Sequence, residues 1–336
     1  MLGGMLVHLR LTVPTDLSDE VRQLLMDHDH VTNVVVVPGV SLDPVGDLIS
    51  CDVARETASV LLDVLEDIGL TDRGGIVVIT PASTPFAAAR RLERLAPGDP
   101  DDAVIWNAVV AAAEASSRPT ISYHVFLVLA TILASVAVIT DSSVLVVGAM
   151  VVGPEFGAVA ATCTGVVLRR WRLVWHSLRL LVFGFVFAVA VVALLSVVGD
   201  LTGLVDSEMV SRPRPQTQFI WHPDRWSFIV ALVAGAAGVL ALSTDKAAAM
   251  VGVFISVTTV PAAGNLALAI GTGTLDEIWG SLSQLGLSLT GMIVAGTITL
   301  ALQRLIWHRL MANAERLFAL GVRKPGDRYD GANRYP

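Results

Sequence analysis

The segment Thr140-Asp-Ser-Ser-Val-Leu-Val-Val-Gly-Ala-Met-Val-Val-Gly-Pro-Glu-Phe-Gly-Ala-Val-Ala-Ala-Thr-Cys-Thr-Gly165 decides how the chain is read. Its apolar content suits a bilayer, yet Gly153-Pro154-Glu155 and Gly157 interrupt it. Proline removes a helix hydrogen bond and clashes with the preceding turn, and glycine loosens the backbone. A carboxylate at depth is costly unless it is paired, protonated or wet. A helix broken inside a membrane survives only where protein or a water-filled cavity surrounds the break. The pattern predicts a discontinuous span with Glu155 near its middle, and treats the rest of the chain as its support and control.

The 336 residues are 54% hydrophobic with mean hydropathy +0.67, too apolar for a soluble protein of this size. Six stretches near the length a bilayer requires lie at about 122–140, 144–168, 173–198, 226–242, 247–271 and 281–306. Arg169-Arg170-Trp171-Arg172, Lys246, Arg304 and Arg309 fall on one side of them, together with Arg90, Arg91, Arg94 and Arg118. The positive-inside rule makes that side cytoplasmic. Asp141, Asp276-Glu277 and the 199–225 loop fall on the other, although that loop also carries Arg212, Arg214 and Arg225. Trp171, Trp175, Trp221, Trp226, Trp279 and Trp307 sit at span ends, as interfacial aromatics do. These cues predict a multi-pass protein of the cytoplasmic membrane, with the lipid bilayer as its first partner and both termini cytoplasmic.

The two halves of the apolar region echo one another. In the first, Thr140-Asp-Ser-Ser143 leads into Gly148-Ala-Met150 and the break at Pro154; in the second, Ser243-Thr-Asp-Lys246 leads into Ala248-Ala-Met250 and Thr258-Thr-Val-Pro261. Three spans in each half make the halves inverted. Paired interrupted helices in inverted repeats are the pattern of secondary transporters, with binding at the midplane. The candidate site is therefore Gly153, Pro154, Glu155 and Gly157 with Thr258, Thr259, Pro261 and Asn265. Backbone carbonyls freed by the prolines, with the hydroxyls and the Asn265 amide, are suitable cation ligands; the same hydroxyls can instead bond back within their own helix. Asp141 and Asp245 stand at span ends, where helix capping competes with ion binding. Gln284 reads as a polar contact between helices. Gly235 and Gly238 with Ala231 and Ala234 form a small-residue face for close packing.

Residues 1–120 hold 18 Asp and Glu against 8 Lys and Arg, a net of −10, whereas 121–336 carry a net of +3. An acidic module thus precedes a slightly basic membrane module, and it is a poor nucleic-acid binder. Met5–Val13, Val31–Val37, Asp47–Ala54 and Gly75–Thr80 read as strands, and Leu17–Met26 and Arg55–Ile68 as helices. The order βαββαβ over 1–80 is that of a ferredoxin-like sandwich. Residues 81–120 read as two amphipathic connector helices, 121–310 as the membrane domain and 311–336 as a polar cytoplasmic tail. Asp27-His28-Asp29-His30 is a short set of potential metal ligands without further partners, and a solvated helix end explains it as well. No metal or cofactor is expected. Cys51 and Cys163 lie in different modules and are not expected to pair. Met1–Pro14 contains no signal-peptide h-region.

Thr140-Asp-Ser-Ser143, Gly148-Ala-Met-Val-Val-Gly-Pro154, Ala234-Gly-Ala-Ala-Gly238 and Val260-Pro-Ala262, in that order, resemble the motifs of the DUF389 family of bacterial hydrophobic membrane proteins. The likeness covers about 120–305, and the N-terminal module fits it. The chain departs from that pattern in Glu155-Phe156-Gly157-Ala158, where many relatives carry an apolar residue and a second proline, and in having a single proline at 261. The resemblance therefore implies no general role for Glu155, and it brings no substrate.

The sequence leads to a transporter or channel for a small solute or ion, regulated by the N-terminal domain. The rival is a membrane-anchored ligand-sensing or scaffold oligomer without transport. An enzyme is not expected, since no nucleophile elbow, HExxH, Walker A or paired catalytic carboxylates occur. Small-residue spans and exposed strand edges predict a homo-oligomer; a trimer fits, although the sequence does not count subunits.

Overall fold

The structure, a computed structural model, describes residues 6–81, 83–95, 104–205, 209, 212–244, 252–253 and 258–319. The chain divides into two units, Met1–Ala103 with Leu302–Pro336, and Val104–Ala301.

In the first unit β1 (Leu6–Pro14), α1 (Ser18–Asp27), β2 (Val31–Leu42), β3 (Val45–Ala54), α2 (Arg55–Asp67), α3 (Leu70–Arg73) and β4 (Gly75–Ile79) follow in order. The strands form one sheet in the order β2-β3-β1-β4, and every neighbouring pair is antiparallel. Strand alternation sends Val7, Leu9, Leu11 and Val13 of β1 and Ile49, Cys51 and Val53 of β3 into the core. Val21 and Leu25 of α1 and Ala58, Leu61 and Leu65 of α2 are buried with them. Burial pushes the Cys51 thiol up to about 12, so it is inert at neutral pH. α4 (Ala87–Leu95) contributes Ala89 and Leu92 to a small cluster with Leu6 and Ala54.

β2 runs past Pro38-Gly39, where the sequence suggested it would stop. Pairing lapses between Val37 and Ser41 and then resumes as Ser41 with Gly46 and Leu42 with Val45. Gly39 takes the left-handed φ of 65° that this irregularity needs, and an edge strand tolerates Pro38 because its missing N–H faces no partner.

The second unit is helical: α5 (Trp106–Ser116), α6 (Ile121–Ile139), α7 (Ser143–Val152), α8 (Glu155–Val167), α9 (Trp171–Leu201), α10 (Arg225–Ser243), α11 (Thr259–Thr272) and α12 (Leu275–Ala319), the last of these belonging to it as far as Ala301. Among the described residues, four helices are long and apolar enough to cross a membrane: α6, α9, α10 and α12 over Leu275–Trp307. The pair α7 and α8, bent by 54°, makes a fifth if counted as one span. The predicted 247–271 span falls partly on residues outside those described; α11 makes up its C-terminal half. Caps set the helix starts. Thr120 accepts from the Tyr123 N–H at 3.2 Å, Ser142 from Leu145 at 3.4 Å and Asp224 from Ser227 at 2.7 Å. Val125, Phe126, Leu129, Val182, Phe183, Val186, Val233 and Ile298 are exposed, an apolar exterior that only lipid or another apolar surface accommodates.

Two glycines let neighbouring helices approach closely. A Cβ at Gly264 of α11 would meet the Ala134 Cβ of α6 at 2.6 Å, and one at Gly235 of α10 would meet the Met292 carbonyl oxygen of α12 at 2.4 Å. α5 packs on α8, with Ala113 against Ala161 and Leu173 of α9.

Candidate functional site

Pro154 cannot donate an N–H, and the residue before a proline is pushed to extended geometry; Gly153 accordingly has ψ 128°. α7 ends there and α8 begins at Glu155. α11 begins at Thr259 after Thr258, and Pro261 sits in its first turn, where the missing N–H is not needed by the helix. The two starts meet. The Thr259 hydroxyl donates to Glu155 Oε1 at 2.7 Å, and a Cβ on Gly153 would lie 2.7 Å from the Val260 side chain.

Depth follows from register. Gly264 lies against Ala134 of α6, and Gly271 against Ser196 of α9. At a rise of ~1.5 Å per residue, Thr259 lies about 7.5 Å back from the Ala134 level and about 18 Å back from the Ser196 level. Both estimates fall near the middle of α6 and α9.

Glu155 is 7% exposed. Its Oε2 has no hydrogen-bond partner among the described residues, and it lies so close to Gly153 that a Cβ there would be 2.3 Å away. No described cation pairs with it in a salt bridge. The N-termini of α8 and α11 supply the positive dipole ends that make such a burial tolerable.

Beside it runs a polar ladder along α12. Glu277, Ser281, Gln284 and Ser288 follow one another at spacings of four, three and four, which places them on one helix face, and all four are buried. At its lower end Gln284 Nε2 donates to Thr258 Oγ1 at 2.7 Å, and the Thr258 and Ser288 hydroxyls lie 3.2 Å apart. Gln284 Oε1 has no partner among the described residues. At the upper end Arg214 Nη2 donates to Glu277 Oε1 at 2.6 Å and Nη1 to Asn265 Oδ1 at 2.9 Å. Asn265 Nδ2 donates to Glu277 Oε2 at 3.0 Å and to Ser281 Oγ at 2.8 Å.

The expected site residues thus separate. Gly153, Pro154, Glu155, Thr258, Thr259 and Pro261 converge. Asn265 is engaged in the Arg214–Glu277 network. Gly157 faces Ser116 of α5, whose side chain would lie 3.1 Å from an added Cβ. Asp141 accepts from the Gln216 N–H at 3.2 Å and from the Thr217 hydroxyl at 2.9 Å, pinning the 212–220 loop to the α6–α7 turn, while Ser142 is the cap of α7. Arg212 donates to the Ile139 carbonyl and completes that anchorage. Asp245 lies outside the described residues. Among the described residues, no group of three or more His, Cys, Asp or Glu side chains is placed to hold a metal. Sequence reasoning missed Arg214, Glu277, Ser281 and Ser288. Polar residues inside a predicted apolar span were the available signal for Ser281 and Ser288; the sequence places Glu277 at the span's outer end, and nothing local marked Arg214.

Fold and site together define a mostly helical protein with a small N-terminal antiparallel sheet, four to five candidate membrane-span helices among the described residues, and a buried polar network. Residues 150–294 match the family model described as "Domain of unknown function (DUF389)", in agreement with the motifs. An uncharacterized protein of Methanocaldococcus jannaschii is 24% identical over 199 residues, which are 58% of this chain and 59% of that relative. No solved structure matches.

Proposed function

We propose that the protein is a transporter or channel for a small solute or ion in the cytoplasmic membrane, with Glu155 at its centre. The observation that carries this reading is the meeting of two helix starts, Glu155 of α8 and Thr259 of α11, near the middle of α6 and α9. Half-helices that begin at mid-depth and face one another are the binding geometry of inverted-repeat transporters. A purely structural bundle gains nothing from burying an unpaired carboxylate oxygen beside a polar ladder. Glu155 is closed off here, as in an occluded state.

On this reading there are six spans in two inverted three-span halves: α6, α7–α8 and α9, then α10, the 247–271 segment ending in α11, and α12. The arginines around Arg170 face the cytoplasm, as do both termini. The first unit is a ferredoxin-like regulatory domain, for which the strand order β2-β3-β1-β4 with α1 and α2 sharing one buried core is the support. The assembled protein is a homo-oligomer, consistent with its apolar exterior.

The test is flux in liposomes reconstituted with the full chain. Glu155→Gln and Pro154→Ala are expected to lower uptake at least tenfold while leaving the elution profile of the purified protein intact. Unchanged flux in both variants would remove Glu155 from the pathway.

A further inference from the structure

We infer that the cavity between Asp224 and the Thr258–Ser288 hydroxyl pair admits and binds a small monovalent cation on its way to Glu155. This rests on the transport reading and names the class of its cargo.

The cavity has a volume of about 280 Å³ and is lined by Phe219, Asp224, Trp226, Ser227, Thr258 and Ser288, among others. At ~30 Å³ per water it has room for about nine waters, enough for a hydrated ion. Asp224 Oδ1 accepts from the Ser227 N–H at 2.7 Å and from its hydroxyl at 2.8 Å. Those bonds hold the carboxyl below the usual carboxylate range, so Asp224 gives the cavity wall a carboxylate at neutral pH. Phe219, Trp226, Val230 and Ala231 supply its apolar walls.

The Thr258 and Ser288 side chains also line it, their hydroxyls 3.2 Å apart. Gln284 stands behind Thr258 with its Oε1 unsatisfied, and the next residue, Thr259, leads to Glu155 with its unsatisfied Oε2. A buried oxygen without a donor is completed by a donor or a cation. The buried side-chain atoms left without a partner along this line among the described residues, Gln284 Oε1 and Glu155 Oε2, are both acceptor oxygens, which favours a cation over an anion. Arg214, the buried donor nearby in the network, is committed to Glu277 and Asn265. One carboxylate among neutral oxygens suits a monovalent ion; calcium and magnesium sites call for more acidic ligands.

The experiment is uptake of radioactive sodium and rubidium into liposomes containing the full chain, with N-methylglucamine holding ionic strength constant. Asp224→Asn keeps the helix cap, because asparagine caps as well as aspartate. It is expected to raise the half-saturating cation concentration about threefold at low ionic strength. The difference should vanish at high ionic strength, which a purely structural effect would not do. Ser288→Ala should raise that concentration about tenfold, the effect of one lost ligand. The salt dependence of Asp224→Asn stands whether or not Ser288→Ala folds. Identical concentration dependence in all three proteins, with Glu155→Gln still abolishing uptake, would refute the cavity and leave the Glu155 reading standing. Uptake carried by anions or by protons alone would also refute it. Uptake that Glu155→Gln does not change would instead overturn the transport reading beneath it.

Discussion

Replacing Arg214 by methionine isolates the upper end of the polar ladder. Arg214 and Glu277 side chains are 2% and 8% exposed and 2.6 Å apart, with Asn265 bridging them. Removing one partner of a buried pair leaves an uncompensated charge and costs ~3–5 kcal/mol. Removing both charges at once restores most of that, since an apolar pair escapes the desolvation penalty that the ions incur. Arg214→Met and Glu277→Met should therefore each destabilise strongly, and the double variant should lie within about 1–2 kcal/mol of wild type. The loop should stay in place in all three, because Asp141 still holds Gln216 and Thr217. Thermal unfolding in detergent measures the cycle. Additive effects, with a coupling below about 0.5 kcal/mol, would mean that Arg214 and Glu277 do not act as a pair and would refute the reasoning.

Two other predictions follow from the same geometry. Gly235→Ala places a methyl group 2.4 Å from the Met292 carbonyl oxygen and 2.5 Å from its Cα, backbone atoms that cannot rotate away. A loss of ~1–3 kcal/mol in thermal stability is expected, and an unaltered melting temperature would show that α10 and α12 do not approach so closely. In the first unit, burial lowers both His28 and His30 below the ordinary imidazole value; His30 adds to the effect on His28, while Asp29 opposes it at both. The unfolded chain then binds more protons, so stability falls as pH drops through about 6.5 toward the folded values. Hydrogen exchange over residues 18–42, corrected for intrinsic rates, should be faster at pH 5 than at pH 8, and less so in a His28→Gln/His30→Gln variant. Equal protection at both pH values would contradict it.

The length and apolarity of α6, α9, α10 and α12, the break at Pro154 and the strand–helix order of the first unit were all readable from the chain. Each depends on near neighbours: a run of apolar side chains, a proline without its N–H, an alternation of period two. The resemblance carried by Gly148 to Pro154 was local in the same way. Glu155 was legible as an anomaly because one carboxylate in an apolar run needs a partner somewhere, but its partner was not. Thr259 lies 104 residues away, and only the meeting of the α8 and α11 N-termini brings its hydroxyl to Oε1. Asn265 looked like a cation ligand until Arg214, from an exposed-looking loop, filled its acceptor. Asp141 looked like a cap until the same loop folded back onto it. Sequence determines which groups must be satisfied, because burial and hydrogen-bond valence belong to the residue. Tertiary structure alone decides which distant group satisfies them, because that is set by where helices cross, and here the crossings are fixed by backbone contacts at Gly235 and Gly264.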